Sequence, residues 1–202
     1  MGKKVVLIGG GGHAKVVMDI VEACGDQVVG VLDDALEKGT LIQGVPVLGK
    51  VAEAESFEDC SFLIAIGNNE VRYRLAKQLD LPWYTAVHPT AVVSSKAQIG
   101  EGSVVMPKAV VNAGARIERH CIVNTAAVVE HDNHIADCGH ISCGAVLTGT
   151  VHVGETVLIG AGAIVRNNVT ICAGSTVGAG AVVTADITEK GTYVGVPARK
   201  LI

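Results

Sequence analysis

Counting by six from Val93 meets a Val, Ile or Leu at every step: Val93, Ile99, Val105, Val111, Ile117, Val123, Val129, Ile135, Ile141, Leu147, Val153, Ile159, Val165, Ile171, Val177 and Val183. No insertion repairs the count. Four residues after each of these the side chain is usually small, as at Ala97, Ser103, Ala109, Ala115, Cys121 and Ala127, and Asn133 breaks that second rule. Six is even, so positions i and i+4 share one face of an extended strand. One large and one small inward residue per six describe a flat strip and then a corner, which is the hexapeptide signature of a parallel β-helix. Three strips close a coil of about eighteen residues, so the run predicts roughly five coils and, at ~4.8 Å per strand, a prism about 25 Å long. Aromatic residues agree with a narrow interior: between Thr85 and Ile202 the only Phe, Tyr or Trp is Tyr193.

Ahead of the prism the pattern changes. Residues 4–9 read as a short buried strand, followed by the turn Gly9-Gly10-Gly11-Gly12-His13-Ala14-Lys15 and a helix from Val16 to Cys24 closed by Gly25. Val28–Leu32 is a second strand, ending in Asp33-Asp34. Phe62–Ile66 is a third, followed by Gly67-Asn68-Asn69 and a helix from Glu70 to about Leu79, and Trp83–Val87 is a further strand. The expectation is an α/β, Rossmann-like domain over residues 1–87 and a solenoid domain over residues 88–202. After the last repeat, Asp186–Gly191 leaves the prism and Gly195-Val196-Pro197 is extended.

Two stretches carry candidate chemistry. A strand, a glycine turn and a helix N-terminus form an anion site, because free N–H groups and the helix dipole face the turn. Gly9-x-Gly11-x-x-Ala14 fits a dinucleotide fingerprint, and Asp33-Asp34 stands about where an acid meets a ribose hydroxyl. A full dinucleotide fold needs two βαβαβ halves and this segment has room for one. A mononucleotide or nucleotide-sugar is therefore favoured over NAD, with a purely structural turn as the alternative. The second stretch is Glu130-His131-Asp132-Asn133-His134-Ile135-Ala136-Asp137-Cys138-Gly139-His140, which gathers three imidazoles and three carboxylates in an otherwise apolar repeat. A His beside an acid is a candidate general base, since the carboxylate orients the ring and stabilises its charged form. His134 and His152, eighteen apart, should stack on neighbouring coils as a solvated ladder, a metal site or part of a pocket. A catalytic zinc usually has three protein ligands and no third is evident, so no metal is expected.

Composition narrows the classes. Of 202 residues, 49% are hydrophobic, yet no run approaches the ~18 that a membrane span needs. The start, Met1-Gly2-Lys3-Lys4, runs directly into the first strand and glycine turn and does not read as a signal peptide. The cysteines show no CxxC pairing, and Cys121 falls in an inward slot as a buried thiol, which points to a reducing compartment, the cytoplasm. A net charge of −4 without a basic cluster argues against nucleic acid.

Gly11-Gly12-His13-Ala14-Lys15, Ile64-Ala65-Ile66-Gly67-Asn68-Asn69-Glu70-Val71-Arg72, Val129-Glu130-His131-Asp132 and Val194-Gly195-Val196-Pro197-Ala198 occur in that order. Together they resemble the bacterial nucleotide-sugar acetyltransferases typified by the bacillosamine-pathway enzyme, with sialic-acid O-acetyltransferases as relatives. The resemblance implies a left-handed β-helix, although parallel crossovers are otherwise right-handed and a six-residue period is silent on hand. It implies a homotrimer, with acetyl-CoA as cosubstrate and a nucleotide-linked amino-sugar as acceptor, a UDP-4-amino-4,6-dideoxy sugar above all. It also implies His131 as base, supported by Asp132 or by Glu130, and His140 on acetyl-CoA with Gly149, Ala161 and Ala179 along its path. Gly11, Gly12, His13, Lys15, Asp33, Asp34 and Gly67 would meet the nucleotide-sugar. An O-acetyltransferase, a β-helix carbonic anhydrase and a non-catalytic scaffold are the alternatives.

Overall fold

The structure, a computed structural model, describes residues 2–201. β1 (Lys4–Ile8) holds four fully buried apolar residues and sits inside a five-stranded sheet. It pairs in parallel with β2 (Gln27–Leu32) on one side and, on the other, with a strand at Ser61–Ile64. Between those two lie β3 (Leu41–Ile42) and β4 (Val45–Gly49), a hairpin that the strand pattern missed. Its signal is Gln43-Gly44, whose φ values of 48° and 83° make the two-residue turn that suits a hairpin. With Ser61–Ile64 as β5, the order is β3-β4-β2-β1-β5. The chain works outward from β1 through β2 to β4 and then returns to the far side of β1. The carboxyl ends of β1 and β5 thus flank a topological switch point, the usual ligand crevice of open α/β sheets.

α1 spans Gly12–Ala23, four residues earlier than the expected start at Val16. Ala14 is buried in the same stripe as Val17, Met18, Ile20 and Val21, so packing on the sheet extends the helix back to the glycine turn. α2 spans Asn69–Gln78 and is capped by Asn68, whose side chain accepts from Val71 N at 3.0 Å.

The solenoid follows the predicted register. Pairs such as Val110 with Val128, His134 with His152 and His140 with Leu158 each stand eighteen residues apart. Three parallel sheets form the faces, and Val or Ile from each fills a single continuous core. Ala86–Val87, expected in the N-terminal sheet, instead pairs with Val104–Val105 and begins one prism face. Trp83 keeps only an isolated bridge to Phe62. The apolar residues Ala86 and Val87 satisfy the inward pattern of the first coil, and that register wins.

Every sixth residue from Gly102 to Gly180 turns a corner with positive φ, and most of these are not glycine, His120, Asp132, Cys138 and Thr156 among them. Asn133, the exception to the small-residue rule, is 1% exposed. Its Nδ2 donates to Glu130 O at 2.7 Å and its Oδ1 accepts from Val151 N at 2.7 Å, so the buried amide is satisfied and tethers the corner that carries His131.

α2 docks along one edge of the prism. Arg72, 1% exposed, uses all five guanidinium donors' worth of bonding without a carboxylate partner. Its Nε donates to His120 O at 2.8 Å, Nη2 to Cys138 O at 2.8 Å and Asn69 Oδ1 at 2.9 Å, and Nη1 to Ile66 O and Gly67 O. Asn69 Nδ2 adds Thr156 O and Val157 O at 2.9 and 3.0 Å. His120, Cys138 and Thr156 are successive corners of one edge, so two side chains bolt the α/β sheet to three coils.

Candidate functional site

The four glycines of the first turn divide into two kinds. Gly9 has φ +99°, and a Cβ there would strike Ile66 at 2.4 Å; at Gly10 it would strike Ile42 and Leu36. Those two are demanded by the fold. At Gly11 and Gly12 a Cβ would meet no atom within 4 Å, so the turn that opens α1 is exposed and uncrowded there. Lys15 is exposed on the same first turn.

Asp33 serves the protein itself. Its Oδ2 accepts from Gly10 N at 2.8 Å, and its Oδ1 from Ala35 N and Leu36 N at 2.8 and 3.1 Å. Although burial opposes it, these backbone donors and the Lys50 charge hold the carboxyl below its ordinary range. Asp34 Oδ1 accepts from Val51 N at 3.0 Å. Both acids line a cleft of about 220 Å³ at the end of the sheet, with Gly9, Ile66, Leu75 and Arg74, a residue the sequence did not single out. A second cleft, of about 240 Å³, lies between Gly67–Glu70 and the prism residues Thr156, Leu158 and Thr176.

His131 and Asp132 form a pair on an exposed corner, with Nδ1 and Oδ2 2.8 Å apart. Glu130, the alternative support, makes no contact with the ring among the described residues; its carbonyl instead receives Asn133. The pair fixes a proton on His131 Nδ1 and leaves Nε2 as the free acceptor.

His140 lies elsewhere. Asn124 Oδ1 accepts from Thr125 N at 2.8 Å, which turns its Nδ2 toward His140 Nε2 at 3.0 Å. The ring proton is therefore on Nδ1, which is buried beside the Gly67 backbone. Burial, then the Arg72 guanidinium and His13, push His140 down to about 4. His13 Nε2 is also buried without a partner, and burial followed by Arg72 lowers it to about 4 as well. The glycine turn, Gly67 and His140 thus meet beside Arg72 within one chain.

The remaining expected residues separate onto different edges. Thr150 N donates to His131 O and Asn168 N to Gly149 O, so His131 and Gly149 stack on one edge. Gly162 N donates to Cys143 O and Gly180 N to Ala161 O, so Ala161 and Ala179 stack on another, beside the strand of His140. The face between those edges carries Val92, Val110, Val128, Val146, Ile164 and Val182 pointing outward in register. Burial raises the thiols of Cys121 and Cys138 to about 12 and about 11, which leaves no thiolate there at neutral pH. His134 and His152 lie on neighbouring coils and meet edge to face with ring centroids 6.2 Å apart, and His134 Nε2 lies 3.0 Å from Glu118 Oε1. Among the described residues no three His, Cys, Asp or Glu side chains converge as metal ligands, and no helix is long and apolar enough to cross a membrane.

Comparison with known proteins adds names to this geometry. Residues 4–79 match the PglD N-terminal domain, and residues 150–185 match the bacterial transferase hexapeptide (six repeats). UDP-N-acetylbacillosamine N-acetyltransferase of Bacillus subtilis is 43% identical over 111 residues, which are 52% of this chain and 51% of that protein. The chain spans about half the length of that curated relative. The acetyltransferase domain of PglB from Neisseria gonorrhoeae, in two structures of which one is a complex with acetyl coenzyme A, superposes with a TM-score of 0.92 at 40% identity. The matches cover at least 99% of this chain and 100% of that one. PerB from Caulobacter crescentus, solved with CoA and GDP-perosamine, gives 0.93 at 38% identity and covers 100% of this chain and 98% of its own.

Proposed function

This chain belongs to the hexapeptide-repeat N-acetyltransferases that carry a PglD N-terminal domain, and from that premise we propose that it moves the acetyl group of acetyl-CoA to the amino group of a nucleotide-linked amino sugar. The observation that carries the mechanism is the His131–Asp132 pair on an exposed corner. Asp132 holds Nδ1–H, and Nε2 takes the proton of the sugar amine as its nitrogen attacks the thioester carbonyl. The tetrahedral intermediate then collapses, expelling the CoA thiolate, which recovers that proton from the imidazolium. Backbone N–H groups are the donors available for the acetyl group's oxygen. The raised thiols of Cys121 and Cys138 favour direct transfer over a cysteine acyl-enzyme.

The glycine turn takes the diphosphate in this reading. Gly11 and Gly12 offer N–H groups, and Lys15 adds charge. Asp34 faces the nucleoside side of the neighbouring cleft, while Asp33 shapes the turn. The name of the Bacillus relative supports a UDP-linked 4-amino-4,6-dideoxy sugar; the GDP-perosamine bound by PerB sets the alternative to test.

The working unit is a homotrimer in cytoplasm. The apolar ladder from Val92 to Val182 supports packing of that face about a threefold axis. Such packing sets the His131 edge of one prism against the Ala161–Ala179 edge of its neighbour, so that base and acetyl-CoA meet between subunits. Six cysteines without a disulfide among the described residues support a reducing compartment.

The test is CoA release from acetyl-CoA with UDP-, dTDP- and GDP-linked amino sugars. Turnover of a 4-amino sugar but not its 4-hydroxy counterpart supports the reading. His131→Ala should lower kcat by roughly 10²–10⁴, and retention of more than half the rate excludes His131 as base.

A further inference from the structure

We infer that Gly149 is a positioning residue for the acyl-transfer centre, because its missing side chain is the seat on which the His131 imidazole rests. The inference depends on His131 being the base, as proposed above.

Each corner of the prism opens with one residue that keeps ordinary backbone angles and continues into the left-handed residue after it. From Ser95 to Ala179, in steps of six, that opening residue is glycine only at 149. Backbone conformation does not ask for it, since the φ of Gly149 lies outside the left-handed region. The other opening residues are exposed or half-buried, and Gly149 alone among them is buried. What covers it is the side chain one coil earlier. A Cβ on Gly149 would stand 2.5 Å from both Cε1 and Nε2 of His131 and 3.3 Å from Cδ2. The imidazole therefore lies on the glycine with its free nitrogen in contact, while Asp132 holds the opposite nitrogen at 2.8 Å. The ring is fixed from two sides, by a hydrogen bond and by a shelf with no methyl on it.

Gly114 repeats the device for the acid. A Cβ there would collide with Asp132 Oδ1, though its φ of +76° is a second reason for glycine. Gly149 has no such second reason, which makes it the informative position. Any side chain at 149 must push the ring off its seat. His131 is 60% exposed, so the ring can swing into solvent without unfolding the corner, and it loses its alignment instead.

Gly149→Ala is the test, read in three ways. Its crystal structure should show His131 Nδ1 withdrawn from Asp132 beyond hydrogen-bonding range, with the coil backbone unchanged. Its kcat should fall about 10²-fold, the scale of a ~1 Å misplacement, with the acetyl-CoA KM within about twofold of wild type. Introduced into His131→Ala, the same change should cost less than about twofold more, because it acts only through the ring. An unmoved ring, or an equal loss with and without His131, overturns the inference and makes Gly149 a contact of acetyl-CoA. Full activity of His131→Ala alone instead overturns the base assignment, whatever the ring does in Gly149→Ala.

Discussion

Lowering the pH from 7 to 5 should weaken the junction between the two halves of the chain through His120. This imidazole is 2% exposed, and neither ring nitrogen has a partner. It meets Trp83 edge to face, with centroids 4.6 Å apart. Burial, and then the Arg119 guanidinium, bring it from 6.5 to about 4. A depressed histidine binds fewer protons folded than unfolded between those two values. Stability is therefore full above pH 6.5 and is lost as pH falls toward 4. Linkage makes the loss about 2 kcal/mol at pH 5 and about 3 kcal/mol below pH 4. His120→Phe keeps an aromatic edge against Trp83 and removes the titration. Urea unfolding at one protein concentration, followed by the fluorescence of Trp83, the only tryptophan, reads the junction directly. Between pH 7 and pH 5 the wild type should lose ~2 kcal/mol more than His120→Phe, while His13 and His140 titrate in both. Equal losses in the two proteins would refute the argument and place a compensating partner on the ring.

Three other substitutions have defined outcomes. Gly11→Val sets its Cβ where no protein atom lies within 4 Å, so it should lower thermal stability only by the modest cost of a poorer helix N-cap, while raising the KM of the nucleotide-sugar and sparing that of acetyl-CoA; an unchanged sugar KM makes the turn structural only. Val146→Glu sets a charge in the middle of the apolar face, so sedimentation should show loss of the proposed trimer with circular dichroism preserved. Arg72→Met strands the carbonyls of His120, Cys138, Ile66 and Gly67 and should cost about 3 kcal/mol or more in urea unfolding, with Arg72→Lys recovering part of it.

The prism from Val93 onward was legible because its signal is repetitive: one inward Val, Ile or Leu in six leaves no other register open. Its hand was not, since a period is the same in either sense. The hairpin Leu41–Gly49 escaped because two short strands around Gln43-Gly44 lack a long alternation. His131 and Asp132 stood out as neighbours in sequence. The contact of Gly149 with that histidine was not legible, because the two lie eighteen residues apart on neighbouring coils. The acid pair Asp33-Asp34 marks the end of β2 in the sequence, but the three backbone N–H groups that Asp33 accepts from are brought to it only by the fold. Arg72 carried no motif of its own beyond the Asn68-Asn69 stretch. A lone arginine reads as surface until its acceptors, all of them carbonyl or amide oxygens, are brought together by the fold.

Arg72 also imposes an order on biosynthesis. The carbonyls of His120 and Cys138 that complete its bonding are 48 and 66 residues further along the chain, and those met by Asn69 are 87 and 88 further. At roughly 5–20 residues per second, about 3–13 s pass between translation of the arginine and of its last acceptor. During that interval the guanidinium stays hydrated, because burying it with bonds unmade is too costly. The α/β half, although made first, cannot close around Arg72 until the third coil supplies the oxygens that let its charge leave water.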